Sequence, residues 1–253
     1  MIADYTTYLQ ISAVSTFLYF IVIQYVTPLL CELLLPRSKN LLPKGDKLMI
    51  ANSFVSGING VFATAVALYI LLMDNLHEDI FWSNNHHVQV LASIQSGYFI
   101  ADAIAAILTP GYPGRNTFLA HHACCLMALF VITTWKVFAF HMCIRTLNEF
   151  SAPFFNGRYV LAKLDMKETR LYVINGTLFM ITFFLGRIAV MPIYYYAIVS
   201  ASYGEGYERL HSGLVVAFYG VGVFIDTLNV YWFHLVVKGF FKYVSKSSPR
   251  KKE

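Results

Sequence analysis

Charge interrupts this sequence so rarely that long parts of it are unsuited to water. No Asp, Glu, Lys or Arg occurs in 5–31, 48–73, 116–135 or 171–186. About 20 apolar helical residues cross a bilayer's hydrocarbon core. Inside that core every backbone N–H and C=O must be satisfied within the protein, so a spanning segment of this kind is helical. Charged residues make up 13% of the chain and hydrophobic ones 57%, whereas a soluble domain carries about 25% charge. The expected fold is therefore all-α, a polytopic membrane helix bundle.

Seven helices are predicted, at 8–31, 48–73, 88–108, 118–135, 137–156, 171–199 and 212–237, joined by short connections such as TPGYPG at 109–114 and SYGEG at 202–206. The first apolar run lacks the positive start of a cleaved signal and is expected to be a permanent span. The organisation expected is an N-terminal helix and loop (1–44), a single membrane domain (45–240) and a basic tail (241–253). Arg37, Lys39, Lys44, Lys47, Arg115, Arg158, Lys163, Lys167, Arg170 and the six basic residues from Lys238 to Lys252 fall on one side of such a bundle, leaving Lys136 and Arg209 on the other. Positive loops stay cytosolic. The N-terminus is thus expected outside or in the lumen and the C-terminus in the cytosol. Trp82, Trp135, Tyr203 and Tyr207 would mark the outer interface, and Trp232 and Tyr243 the inner one.

A net charge of +5 without a basic face argues against nucleic acid. Cys31, Cys124, Cys125 and Cys143 lie in apolar runs and form no disulfide framework. His121 and Cys125, at i and i+4, are too few to hold zinc, so no metal is expected. His86 and His87 read as solvated loop residues. Asn175 heads a glycosylation sequence that falls inside a helix and would go unused.

Ionisable groups within a bilayer are costly and mark cavities or reaction centres. Asp102, His121, His122, Arg145, Glu149, Arg187 and Asp226 fall inside predicted helices, together with Asn52, Asn59, Asn175 and Asn229. Their spacing places them near a common depth in the cytosolic half, where they could line a pocket opening toward the cytosol or inner leaflet. Asn52, Ser56 and Asn59 share one helical face, as do His141, Arg145 and Glu149. Interhelical glue is the plainer role for the Asn and Ser side chains, and Arg145 could neutralise Glu149 within its own helix. Three buried acids against two buried arginines leave one negative charge, which a protonated acid or a charged histidine would cancel. Neighbouring residues on a helix point about 100° apart, so one of His121 and His122 can face a pocket while the other faces away. The catalytic set proposed from these residues is His121 and His122 with Glu149 and Asp102. The substrate-binding set is Arg145, Asn52, Asn59, Asn175, Arg187, Asp226 and Asn229.

The motifs SGYFIAD (96–102), His121-His122, RTLNEFSAPFFNGRY (145–159), VING (173–176) with Arg187 downstream, and DTLNVYW (226–232) resemble the TLC family, named for TRAM, Lag1 and the ceroid-lipofuscinosis membrane protein. The resemblance covers about residues 45–240. It implies six helices around a lipid-accepting cavity, one extra N-terminal helix, and a role in lipid homeostasis at the endoplasmic reticulum, with membrane lipids and fatty acyl chains as partners. Ceramide synthases of that family use acyl-CoA and a histidine pair followed by acids. His121 and His122 match the pair, whereas Arg145-x-x-x-Glu149 replaces the D-x-x-D pattern and Asn59 stands where a histidine is expected. The leading reading is lipid binding in an intramembrane cavity, without a cofactor. The alternative is an acyltransferase with acyl-CoA as co-substrate. A receptor lacks its Asp-Arg-Tyr and NPxxY motifs here, and a transporter its inverted repeat.

Overall fold

The computed structural model describes residues 2–34 and 42–247. Arg37, Lys39 and the tail from 248 onward lie outside the described residues. α1 (Ile2–Ile21) passes through a π turn (Val22–Val26) into α2 (Thr27–Leu34). α3 (Lys44–Met73), α4 (His86–Leu108) and α5 (Arg115–Trp135) follow as long helices. α6 (Ala139–Thr146) leads through a 3-10 segment (Leu147–Ser151) into α7 (Ala152–Lys163). α8 (Arg170–Phe183) passes through a π turn (Phe184–Ala189) into α9 (Val190–Ala201), and short α10 (Glu205–Glu208) precedes α11 (Ser212–Ser247). Six of these helical runs are long and apolar enough to cross a membrane. Their surface suits hydrocarbon: Phe17, Ile58, Leu72 and Val216 point outward, each more than half exposed.

The segment expected as a helix at 137–156 is not among those six and differs from that expectation. It runs from Ala139 to Lys163 and breaks its hydrogen-bonding pattern at Leu147–Ser151. Pro153 explains the break, because proline lacks an N–H and is favoured in the first turn of a new helix. The segment still traverses the bundle. Phe138 N–H donates to Phe81 O (2.8 Å) at one end, and Lys163 Nζ pairs with Asp46 Oδ1 (2.7 Å) at the other. α11 also outruns its expected end, so residues 241–247 of the expected tail are helical.

Cross-links sort the connections into two ends. Tyr8 Oη lies 3.1 Å from His86 Nδ1, Trp82 Nε1 donates to Gly206 O (2.7 Å), and Arg209 pairs with Asp79 (3.1 Å). At the opposite end Tyr243 Oη donates to Lys167 O (2.9 Å). The start of α1 and the end of α11 therefore sit at opposite ends of the bundle. His86 and His87 are more than solvated loop residues. They open α4, where His87 Nδ1 lies 2.9 Å from Asp74 Oδ2. The hydrogen bond from His87 and a second from Asn85 hold the Asp74 carboxyl below its ordinary range.

Small residues allow close approach where helices cross. A Cβ added to Gly97 would lie 2.5 Å from Ser15 Cβ and 2.7 Å from Thr16 N. Gly97→Val should therefore force α1 off α4 and cost about 1–3 kcal/mol, read as a lower melting temperature of the purified protein in mixed micelles. An unchanged melt would mean that α1 contributes nothing to the bundle's stability. At the far end of α5 the chain reverses tightly through Lys136 (φ 55°) and Phe138 (φ 63°). Stacking of Phe138 on Phe218, with ring centroids 4.4 Å apart, holds that reversal against its left-handed strain.

Candidate functional site

Among the described residues, the buried charges resolve into three pairs drawn from different helices. Arg145, on α6, donates from both terminal nitrogens to the two oxygens of Asp226 on α11, Nη2 to Oδ2 at 2.8 Å. Tyr195 Oη donates to the same Oδ2 (2.5 Å), and the Tyr194 ring lies 4.2 Å from the Arg145 guanidinium. Arg187 projects from the π turn between α8 and α9. Its Nη1 donates to Asn229 Oδ1 (2.9 Å), its Nε to Ser151 Oγ (3.3 Å), and its Nη2 lies 3.8 Å from Glu149 Oε1. A π turn inserts an extra residue and re-aims the side chains around it, which here turns Arg187 into the bundle. Arg145 thus pairs 81 residues along the chain rather than with Glu149 one turn away. The 3-10 segment beginning at Leu147 winds about 120° per residue instead of 100° and carries Glu149 off the Arg145 face.

The third pair is His122 with Asp102. Asp102 is 2% exposed and accepts from Asn52 Nδ2 (2.6 Å) and Tyr98 Oη (3.0 Å), while His122 Nε2 lies 3.1 Å from its Oδ2. His122 Nδ1 faces Phe118 O at 3.1 Å. A backbone carbonyl only accepts, and so does an ionised carboxylate, whereas a neutral imidazole has a single N–H. The imidazole therefore bridges a backbone carbonyl and a carboxylate, joining α5 to α4 in a place closed to water.

The adjacent histidines point apart. His121 lies on the wall of a cavity lined by α4, α5, α6, the 3-10 segment, the Arg187 turn, α9 and α11. The cavity has a volume of about 140 Å³. Met127, Ala128 and Val131 of α5 and Ala217, Val221 and Ile225 of α11 form apolar wall on either side of the gap between those helices. One end is closed by the His121–Trp232 contact (ring centroids 5.5 Å) and the other by Phe138 stacked on Phe218. Trp232 is half-buried, with its ring edge against His121. The lining reaches Ile132 and Phe138, near the Trp135 end. The cavity therefore runs from the His121 level of α5 to the end of that helix.

Of the residues singled out from sequence, His121, His141, Arg145, Glu149 and Arg187 line this cavity. His122, Asp102 and Asn52 form the buried cluster behind it. Asn59 bonds Gln95 Oε1 (3.0 Å) and Tyr19 Oη (2.7 Å), while Asn175 Nδ2 donates to Phe154 O (2.8 Å). Asp226 and Asn229 hold the two arginines. His121 Nε2 lies 3.6 Å from Cys125 Sγ, and its Nδ1 has no partner among the described residues. No group of three His, Cys, Asp or Glu among the described residues is placed to hold a metal. Tyr194, Tyr195 and Ser151 belong to the site but carried no sequence signal beyond their place in helical segments. Pro153 could have revealed the break that brings Ser151 in.

Fold and site together define a multi-pass membrane helix bundle with a largely apolar cavity bordered by neutralised ion pairs. Residues 49–238 match the family model described as TLC domain (TRAM, LAG1, CLN8), and the chain belongs to that family. It is 33% identical over 196 residues to human TLC domain-containing protein 4, covering 77% of this chain and 72% of that protein. It is 32% identical over 190 residues to TLC domain-containing protein 4-B of Xenopus laevis (74% and 72%), and 24% identical over 247 residues to TLC domain-containing protein 4 A of Dictyostelium discoideum (94% and 92%).

Proposed function

We propose that this protein holds a lipid acyl chain in the cavity between α5 and α11 and acts in lipid homeostasis. The endoplasmic reticulum is the membrane proposed, with the N-terminus luminal and the C-terminus cytosolic. The observation that carries the reading is the cavity itself, apolar along most of its wall and polar where Arg145, Glu149 and Arg187 meet it. A protein surrounded by acyl chains admits one into an apolar space at little desolvation cost. The orientation is supported by Lys and Arg at the Lys163–Asp46 end, with Lys136 and Arg209 opposite.

A second reading, acyl transfer from acyl-CoA, is favoured by His121 alone. It lines the cavity, and its buried Nδ1 has no partner among the described residues; there it could take the proton of a hydroxyl or amine attacking the thioester carbonyl while CoA leaves as its thiol. His122, held between Asp102 and Phe118, would then support the wall rather than react. Lipidomics of cells lacking the protein, rescued with wild type or His121→Ala, separates the two. Binding alone predicts that His121→Ala restores the altered lipids at normal abundance. Acyl transfer predicts a species left missing despite full expression. No altered lipid in the cells lacking the protein would contradict both.

A further inference from the structure

We propose that His141 anchors the head group of the lipid that the cavity admits, and that this head is uncharged and both donates and accepts hydrogen bonds, as a long-chain alcohol or amide does. This rests on the lipid-binding reading above and adds the class of head group.

His141 is 2% exposed and lines the cavity, yet neither ring nitrogen has a partner among the described residues. Its surroundings are aromatic: Phe81, Phe138, Phe140, Tyr194 and Phe218 have ring centroids 4.7–5.8 Å from its own. Buried donors and acceptors are nearly always satisfied, and an unmade bond carries the desolvation cost of the group. An imidazole offers one N–H and one lone pair on diverging sides of the ring, so a hydroxyl or amide can answer one of them, accepting from the N–H or donating to the lone pair. Asn148 Oδ1, also on the wall and also unpartnered, accepts one further donor.

Charge decides against the other head groups. The two guanidinium groups on the wall are already neutralised, Arg145 by Asp226 and Arg187 by Glu149 with Asn229 and Ser151. A carboxylate or phosphate entering here would be buried without a free counter-charge. The chain below the head would lie along Met127, Val131 and Val221.

The test uses the full chain in nanodiscs with three photoreactive probes that share one diazirine-bearing chain: hexadecanol, hexadecanoic acid and hexadecane. Intact-mass and peptide mapping would read labelling of the α5 and α11 walls. The alcohol is expected to label about tenfold more than either other probe, the weight of one net hydrogen bond. His141→Phe should bring alcohol labelling down to the hydrocarbon level, and His141→Gln, which keeps a donor and an acceptor, should retain part of the preference. Melting temperature would report whether each variant folds. Equal labelling by all three probes, as expected if only water meets His141, overturns the proposal but leaves chain binding standing. So does preference for the acid, or alcohol labelling that survives His141→Phe. Failure of every probe, the hydrocarbon included, to label the walls overturns the lipid-binding reading as well.

Discussion

Replacing Asp102 by leucine is expected to destabilise the folded protein by about 3–5 kcal/mol, the cost of removing one partner from a buried ion pair. Asn52 Nδ2, Tyr98 Oη and His122 Nε2 all converge on this carboxylate from α3, α4 and α5. Leucine would leave each without an acceptor in a place water does not reach. Asp102→Asn should cost far less. Its amide oxygen still accepts from Asn52, and its N–H can donate to a neutral His122 that keeps its own N–H on Phe118 O. Denaturant unfolding in mixed micelles reads the difference. Equal losses for the two variants would contradict the account of the Asp102 side chain as the acceptor that holds this cluster together.

The second large effect is at Arg145 and Asp226. Arg145→Met leaves Asp226 with only the Tyr195 hydroxyl, and Asp226→Leu leaves the guanidinium over Tyr194 with no carboxylate. Each single substitution should cost about 3–5 kcal/mol, whereas the double variant, apolar on both sides, should return to within about 1 kcal/mol of wild type. A double-mutant cycle on the unfolding equilibrium measures the coupling. Simple additivity would show that the two side chains act independently and that the cavity wall is not neutralised as described.

The charge-free stretches marked the long helices because hydropathy depends on composition alone, and of the ionisable residues expected within the bundle Asp102, His122, Arg187 and Asp226 are buried. Pairing was not legible. Arg145 and Glu149 stand one helical turn apart in sequence, yet a 3-10 turn separates their faces, and the arginine's partner arrives from a helix 81 residues away. The π turn that aims Arg187 inward leaves no local pattern, since its residues Phe184–Ala189 suit an ordinary α-helix. His141 looked like one member of a polar face. Its isolation among five rings depends on how Phe81, Tyr194 and Phe218 pack, which is tertiary information. The cavity's extent was hidden for the same reason: Phe138 and Phe218, 80 positions apart, close the end that sequence spacing had not reached.

The central claim is that the space between α5 and α11 holds a lipid chain. Gly222 opens onto that space, and a Cβ there would meet only Arg145 Nη2 at 3.8 Å, so Gly222→Phe should place a ring in the cavity without disturbing the backbone. Gly220, with nothing within 4 Å of its Cβ direction and no place on the wall, provides the control as Gly220→Phe. The deciding measurement is the lipid retained by each purified protein after detergent exchange, quantified by mass spectrometry per mole of chain. Wild type and Gly220→Phe are predicted to keep about one chain-bearing lipid, and Gly222→Phe to lose it while melting at an unchanged temperature. Equal retention by all three proteins would contradict the account.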